Sequence, residues 1–74
     1  MYWKSKPIVD NRVEQRRKQA GITQANLAEQ VNVTRQTIIA LEKGDYVPSV
    51  ALALALAEAL DSTVERLFIL KESI

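Results

Sequence analysis

Residues 24–44 place the tightest constraint on this chain, because two short amphipathic segments meet there at a three-residue joint around Asn32-Val33. Before the joint, Leu27, Ala28 and Val31 fall at i, i+1 and i+4, one stripe of a helix. After it, Ile38 and Leu41 stand three apart and face inward with Val33. Thr23 and Thr34 are placed as N-caps, and Gly44 closes the second segment. The joint holds no glycine, yet Asn32 tolerates a left-handed backbone and Val33 can plug the corner. Immediately beyond come four polar side chains, Thr34, Arg35, Gln36 and Thr37. The pattern is that of two helices crossing steeply over the small Ala28, the second presenting a polar first turn.

The flanks extend the helical pattern. A first helix is expected to begin at Asp10 or Asn11, with Asn11 and Glu14 as a capping box, and to stop at Gly21. Its apolar positions are few, Val13 and Ala20, with Arg17 between them on the same face. The stretch Val50 to Leu60 alternates leucine and alanine, a strand-like period. Both residues are strong helix formers and no β-branched residue follows Val50, so a fourth helix is expected, apolar on more than one side. Thr63 caps a short fifth helix with Val64, Leu67 and Phe68 turned inward. The fold class is therefore all-α, five compact helices. Residues 1–9 form an N-terminal arm, 10–70 the domain and 71–74 a tail.

At 74 residues this is one small domain. A chain of that size buries only ~60% of its unfolded surface, so a partner subunit would help it. It contains no cysteine and no histidine, which excludes disulfides, Cys/His metal sites and His-based triads. The scattered carboxylates suggest no nucleophile–base pair, so neither an enzyme nor a cofactor is expected. The longest apolar run, Val50 to Ala57, is well short of the ~20 residues that span a bilayer. The first ten residues lack a signal-peptide core, and a soluble cytoplasmic protein is expected. The net charge of +1 hides an asymmetry. Residues 1–43 carry eight Lys/Arg against four acids, whereas residues 44–74 carry two against five. A basic half of this kind can meet a polyanion, though a solvated mixed surface is the plainer reading.

The run Gln24-Ala25-Asn26-Leu27-Ala28-Glu29-Gln30-Val31-Asn32-Val33-Thr34-Arg35-Gln36-Thr37-Ile38-Ile39-Ala40-Leu41-Glu42-Lys43-Gly44 resembles the lambda-repressor-like, Cro/XRE-type helix-turn-helix regulators. The likeness extends through residues 11–68, nearly the whole chain. It implies a transcriptional regulator of double-stranded DNA, a repressor acting on a palindromic operator as a homodimer. It implies that Arg35, Gln36 and Ala40 read bases, and that Gln24, Thr34, Thr37 and Lys43 meet the DNA backbone. Arg17 and Glu42 match a structural ion pair. Three positions depart from the family pattern. Asn32 and Asp61 stand where glycine is usual, and both residues can enter the left-handed region. Arg16 stands where leucine is frequent, which either weakens the first helix or adds a base near DNA.

Leu54, Phe68, Ile69 and Leu70 are candidates for a homodimer interface, with core packing the alternative for Phe68. Tyr2, Trp3, Lys4 and Lys6 either follow a DNA groove or cover apolar surface. The competing class is an antitoxin-like protein-interaction module that also binds DNA, for which the apolar fourth helix leaves room.

Overall fold

Five helices and a two-stranded sheet follow one another as β1 (Ile8–Asn11), α1 (Val13–Gln19), α2 (Gln24–Gln30), α3 (Arg35–Lys43), α4 (Val50–Ala59), α5 (Val64–Leu67) and β2 (Phe68–Lys71). These come from a computed structural model that describes residues 8–71. The tyrosine, tryptophan and lysines assigned to the arm, and residues 72–74 of the tail, lie outside the described residues.

Helix boundaries are set by side-chain oxygens at one end and left-handed residues at the other. Thr23, Thr34, Ser49 and Thr63 each accept a hydrogen bond from the backbone N–H three residues on, at 3.0, 3.2, 3.1 and 3.2 Å. Each satisfies an amide that has no partner inside its helix, an effect of ~1 kcal/mol per cap. At the other end, Gly21, Asn32, Gly44 and Asp61 have φ of 72, 58, 84 and 50°. Around each, paired backbone bonds close a Schellman turn. At the joint these are Val33 N–H to Ala28 O at 3.0 Å and Asn32 N–H to Glu29 O at 3.2 Å. The glycine-free joint thus works because asparagine enters the left-handed region at modest cost. Asp61 does the same between α4 and α5, where Ser62 N–H reaches Ala57 O at 2.8 Å.

The core is one cluster drawn from every helix: Val13 of α1, Leu27 of α2, Ile38 and Leu41 of α3, Leu56 of α4 and Leu67 of α5 are all sealed from solvent. Along α4, Leu52, Leu56 and Leu60 make the buried stripe, with Ala53 and Ala57 beside it. Leu54 falls outside the stripe and stays 58 % exposed. Its neighbour Val50, one turn back, is 77 % exposed.

Three expectations are corrected. The fold is not purely helical: Ile8 and Val9 leave the arm to form β1, which pairs antiparallel with β2 in the register Val9 to Leu70 and Asn11 to Phe68. Each segment opens on apolar residues, Ile8-Val9 in β1 and Phe68-Ile69-Leu70 in β2, and α5 ends after a single turn at Leu67, which frees the latter three for the strand. An exposed Asp10–Lys71 pair at 3.1 Å joins the strands, and that bond to Lys71 holds the Asp10 carboxyl below its ordinary range.

The capping box of Asn11 and Glu14 does not form. α1 starts at Val13, its N-cap Arg12 makes no side-chain cap, and Asn11 belongs to β1. The Asn11 amide instead spans two elements. Its Oδ1 accepts from Val13 N–H at 3.2 Å and its Nδ2 donates to Leu41 O at 2.9 Å, near the end of α3. Glu14 pairs loosely with Lys18 one turn on, at 3.8 Å.

Arg16 takes a role that neither expectation for it named, at the end of α4. Its Nε donates to Leu60 O at 2.9 Å and its Nη2 to Asp61 O at 3.5 Å. A cation at the C-terminus of α4 meets the negative end of the helix dipole and occupies carbonyls with no partner inside the helix.

Two substitutions test these points by urea denaturation. Asn32→Ala is expected to cost ~1 kcal/mol and Asn32→Gly to stay within about 0.5 kcal/mol of the parent, because only the former strains a left-handed residue. Arg16→Met is expected to lower stability by about 1 kcal/mol through loss of a charge-assisted cap. An unchanged midpoint would show that water caps α4 equally well.

Candidate nucleic-acid interface

The helix pair α2–α3 is fixed by a polar chain that runs from the interior to the surface. It starts at Arg17 of α1, whose side chain is 9 % exposed, and Glu42 near the end of α3, 2 % exposed. Arg17 Nε donates to Glu42 Oε2 at 2.7 Å, and Nη2 to Oε1 at 3.3 Å, a two-pronged contact. Arg17 Nη1 donates to Ile22 O at 2.8 Å. The Glu42 hydrogen bond holds the Arg17 guanidinium above its ordinary pKa, against the opposing effect of burial. Glu42 would be unfavourable near the negative end of α3, and the buried guanidinium offsets it.

Gln24, first residue of α2, extends the chain outward. Its Nε2 donates to Glu42 Oε1 at 3.0 Å, and its Oε1 accepts from Arg35 Nη2 at 3.3 Å. Only one amide orientation satisfies both neighbours. The reverse would set oxygen against carboxylate and NH2 against guanidinium. Arg35 opens α3, where a cation opposes the helix dipole and no acid in the first turn relieves it. The Gln24 oxygen supplies that partner and steers the guanidinium without burying it.

Around this line lie the other residues marked for DNA. Gln36 is exposed on the first turn of α3. Thr34 caps the helix, and its hydroxyl lies 3.0 Å from that of Thr37, so these two oxygens hold each other. Ala40 sits half-buried one turn further. Lys43 is exposed in the last turn of α3. Arg35, Gln36 and the two threonines therefore share one exposed turn, with Gln24 beside them. Lys43 stands at the other end of the same helix. The role of Gln24 as a bridge between Arg35 and the buried pair was not legible from spacing. It joins residues 11 and 18 positions away in sequence.

An exposed helix N-terminus with an arginine and a glutamine, on a rigid support, is suited to the edges of base pairs. Arginine can grip guanine O6 and N7, and glutamine adenine N6 and N7. Among the described residues no cluster of acids could hold a metal ion, and no helix is long and apolar enough to cross a membrane.

Removing Glu42 alone should leave a buried cation, and Glu42→Ala is expected to cost ~3–5 kcal/mol in chemical denaturation. The double change Arg17→Met/Glu42→Leu should cost less than Glu42→Ala. A double variant as unstable as the sum of its singles would mean the two residues act independently.

Comparison with known proteins agrees with this geometry. The helix-turn-helix family model of Cro/C1 type matches residues 13–67. An uncharacterised HTH-type transcriptional regulator of Methanothermobacter thermautotrophicus is 56% identical over 61 residues, covering 81% of this chain and 88% of that protein. Among solved structures, the clp gene regulator ClgR of Corynebacterium glutamicum superposes with a TM-score of 0.68 at 29% identity, over 70% of this chain and 55% of that one. SinR, solved as a complex of SinR protein with SinI protein, gives 0.67 at 28%, over 72% and 52%. The chain thus spans about half the length of these two solved chains.

Proposed function

This chain belongs to the Cro/C1-type helix-turn-helix family, whose members here are transcriptional regulators that bind DNA, and on that premise we propose that it represses transcription from a palindromic operator as a homodimer. The observation that carries the DNA-reading part is the exposed first turn of α3, where Arg35 stands on the Gln24–Glu42–Arg17 chain with Gln36 beside it in sequence. Arg35 and Gln36 read base edges in the major groove, with Ala40 in apolar contact one turn on. Thr34, Thr37 and Lys43 meet phosphates. Gln24 does both jobs through one amide, bracing Arg35 and approaching the backbone at the start of α2.

Support for a homodimer comes from an apolar groove lined by Val47, Pro48, Val50, Leu54, Val64 and Phe68. Val47, Val50 and Leu54 are each more than half exposed, and exposed large apolar side chains grouped in this way mark a protein contact. Leu70 adds a further exposed apolar group on β2, while Phe68 packs partly on the core and Ile69 is half-buried. A second copy across this groove would set two α3 helices ~34 Å apart, facing half-sites ~10 base pairs apart. Occupying promoter DNA in this way blocks transcription, hence repression.

A second reading draws on SinR, whose solved structure is a complex with SinI protein. The same groove would then take a different protein, as in an antitoxin-like module that also binds DNA.

Binding-site selection on random duplex DNA tests the first reading. It should return an inverted repeat. Arg35→Ala should lose ~1–3 kcal/mol of affinity and relax preference at one base pair per half-site. Lys43→Ala should lower the dependence of log affinity on log salt by ~1 unit per half-site without changing the selected sequence. Light scattering should give a dimer that Val50→Glu/Leu54→Glu converts to a folded monomer. A monomer at all concentrations, with a single asymmetric site, would favour the partner-protein reading.

A further inference from the structure

One recess beside α3 joins Gln36, Thr37 and Ala40, which already have roles above, to Asp45 and Tyr46, which have none. At the end of α3, Gly44 turns left-handed and Asp45 N–H bonds back to Ala40 O at 2.9 Å. That turn ends the helix and leads to Tyr46, which lines one recess together with Ala40. Tyr46 is 42 % exposed and does not join the core cluster. Between its ring and the helix lies a shallow recess lined by Gln36, Thr37, Ala40, Asp45 and Tyr46. Its floor is small because residue 40 is alanine. The Thr37 hydroxyl is taken up by Thr34 at 3.0 Å, which leaves its methyl group for the recess.

Electrostatics decides which part of DNA can approach. Asp45 at the rim repels a phosphate, so the recess suits a base edge. Among base-edge groups in the major groove, only the thymine C5-methyl is apolar. Gln36 at the opposite rim is free to take the adenine edge of the same or the adjoining pair.

We propose that this recess, formed by Ala40, Thr37 and the Tyr46 ring, receives the 5-methyl group of a thymine, and that Tyr46 thereby fixes one A·T pair in each half-site. This rests on the reading that α3 enters the major groove. It adds a specificity residue outside both helices of the motif.

The test replaces thymine by uracil, one position at a time, in the selected DNA, and reads affinity by fluorescence anisotropy at fixed salt. Loss of one buried methyl should weaken binding about three- to fivefold at a single position per half-site. Tyr46→Ala should lower affinity for the thymine duplex and abolish the difference between thymine and uracil, whereas Tyr46→Phe should keep it. Ala40→Leu, which fills the recess, should also abolish it and serves where Tyr46→Ala is poorly folded. Equal affinity for thymine and uracil at every position would overturn the proposal, as would a methyl effect that persists in both Tyr46→Ala and Ala40→Leu. Failure to select any DNA would overturn the major-groove reading and this subsite with it. Selection of a defined operator without a methyl effect would overturn the subsite alone.

Discussion

A guanidinium enclosed between a carboxylate and a backbone carbonyl holds α1, the α1–α2 turn and α3 in one arrangement. Arg17 meets Glu42 through two nitrogens and Ile22 O through a third. Burying two charges is costly, and such a pair is weak evidence for stability in itself. Its value here is orientational. Arg17 and Glu42 bring a charge pair into a core that is otherwise aliphatic among the described residues, which favours one rotational setting of α1. Glu42 fixes α3 against it, and through Gln24 the same carboxylate reaches the exposed Arg35. The chain from buried pair to surface arginine converts a packing constraint into the aim of a helix.

The rest of the fold serves the same end with local devices. Four hydroxyl N-caps start α2 to α5, and four left-handed residues stop α1 to α4. Helices of seven to ten residues are too short to persist alone, so their ends matter as much as their apolar faces. Arg16 and Asn11 then tie those ends across the molecule, one to the end of α4 and the other to the end of α3. Arg16 uses a carbonyl that α4 leaves without a backbone partner, whereas Asn11 shares Leu41 O with the Gly44 N–H.

Some of this was legible in the sequence and some was not, for identifiable reasons. The caps and the left-handed joints are local: Thr34 and Asn32 act on atoms a few residues away, so their chemistry can be read from position. The buried Arg17 and its partner Glu42 were reached through family resemblance, since no local rule links residues 25 apart. Other expectations were overridden by contacts distant in sequence. Asn11 and Glu14 have capping-box spacing, but Leu41 O, 30 residues away, and the strand partner Phe68 compete for Asn11 and win. Arg16 looked like a lost leucine because its acceptors lie 44 and 45 residues on. The sheet escaped notice because its strands are four residues each, too short for alternation to register, and Phe68 fits a helical stripe equally well. For the candidate site, the residue types at the start of α3 were legible. The bracing amide of Gln24 and the recess that Tyr46 shares with Ala40 required the fold.

The central claim is that the first turn of α3, aimed by the Arg17–Glu42–Gln24–Arg35 chain, is the surface that meets DNA. The most direct measurement is amide chemical-shift mapping of the full chain as its selected DNA duplex is added. The account predicts the largest changes at Gln24, Arg35, Gln36, Ala40 and Lys43, with α1 and the α4–α5 turn little affected. Changes centred instead on α4 and the β1–β2 sheet, with α3 unperturbed, would contradict it.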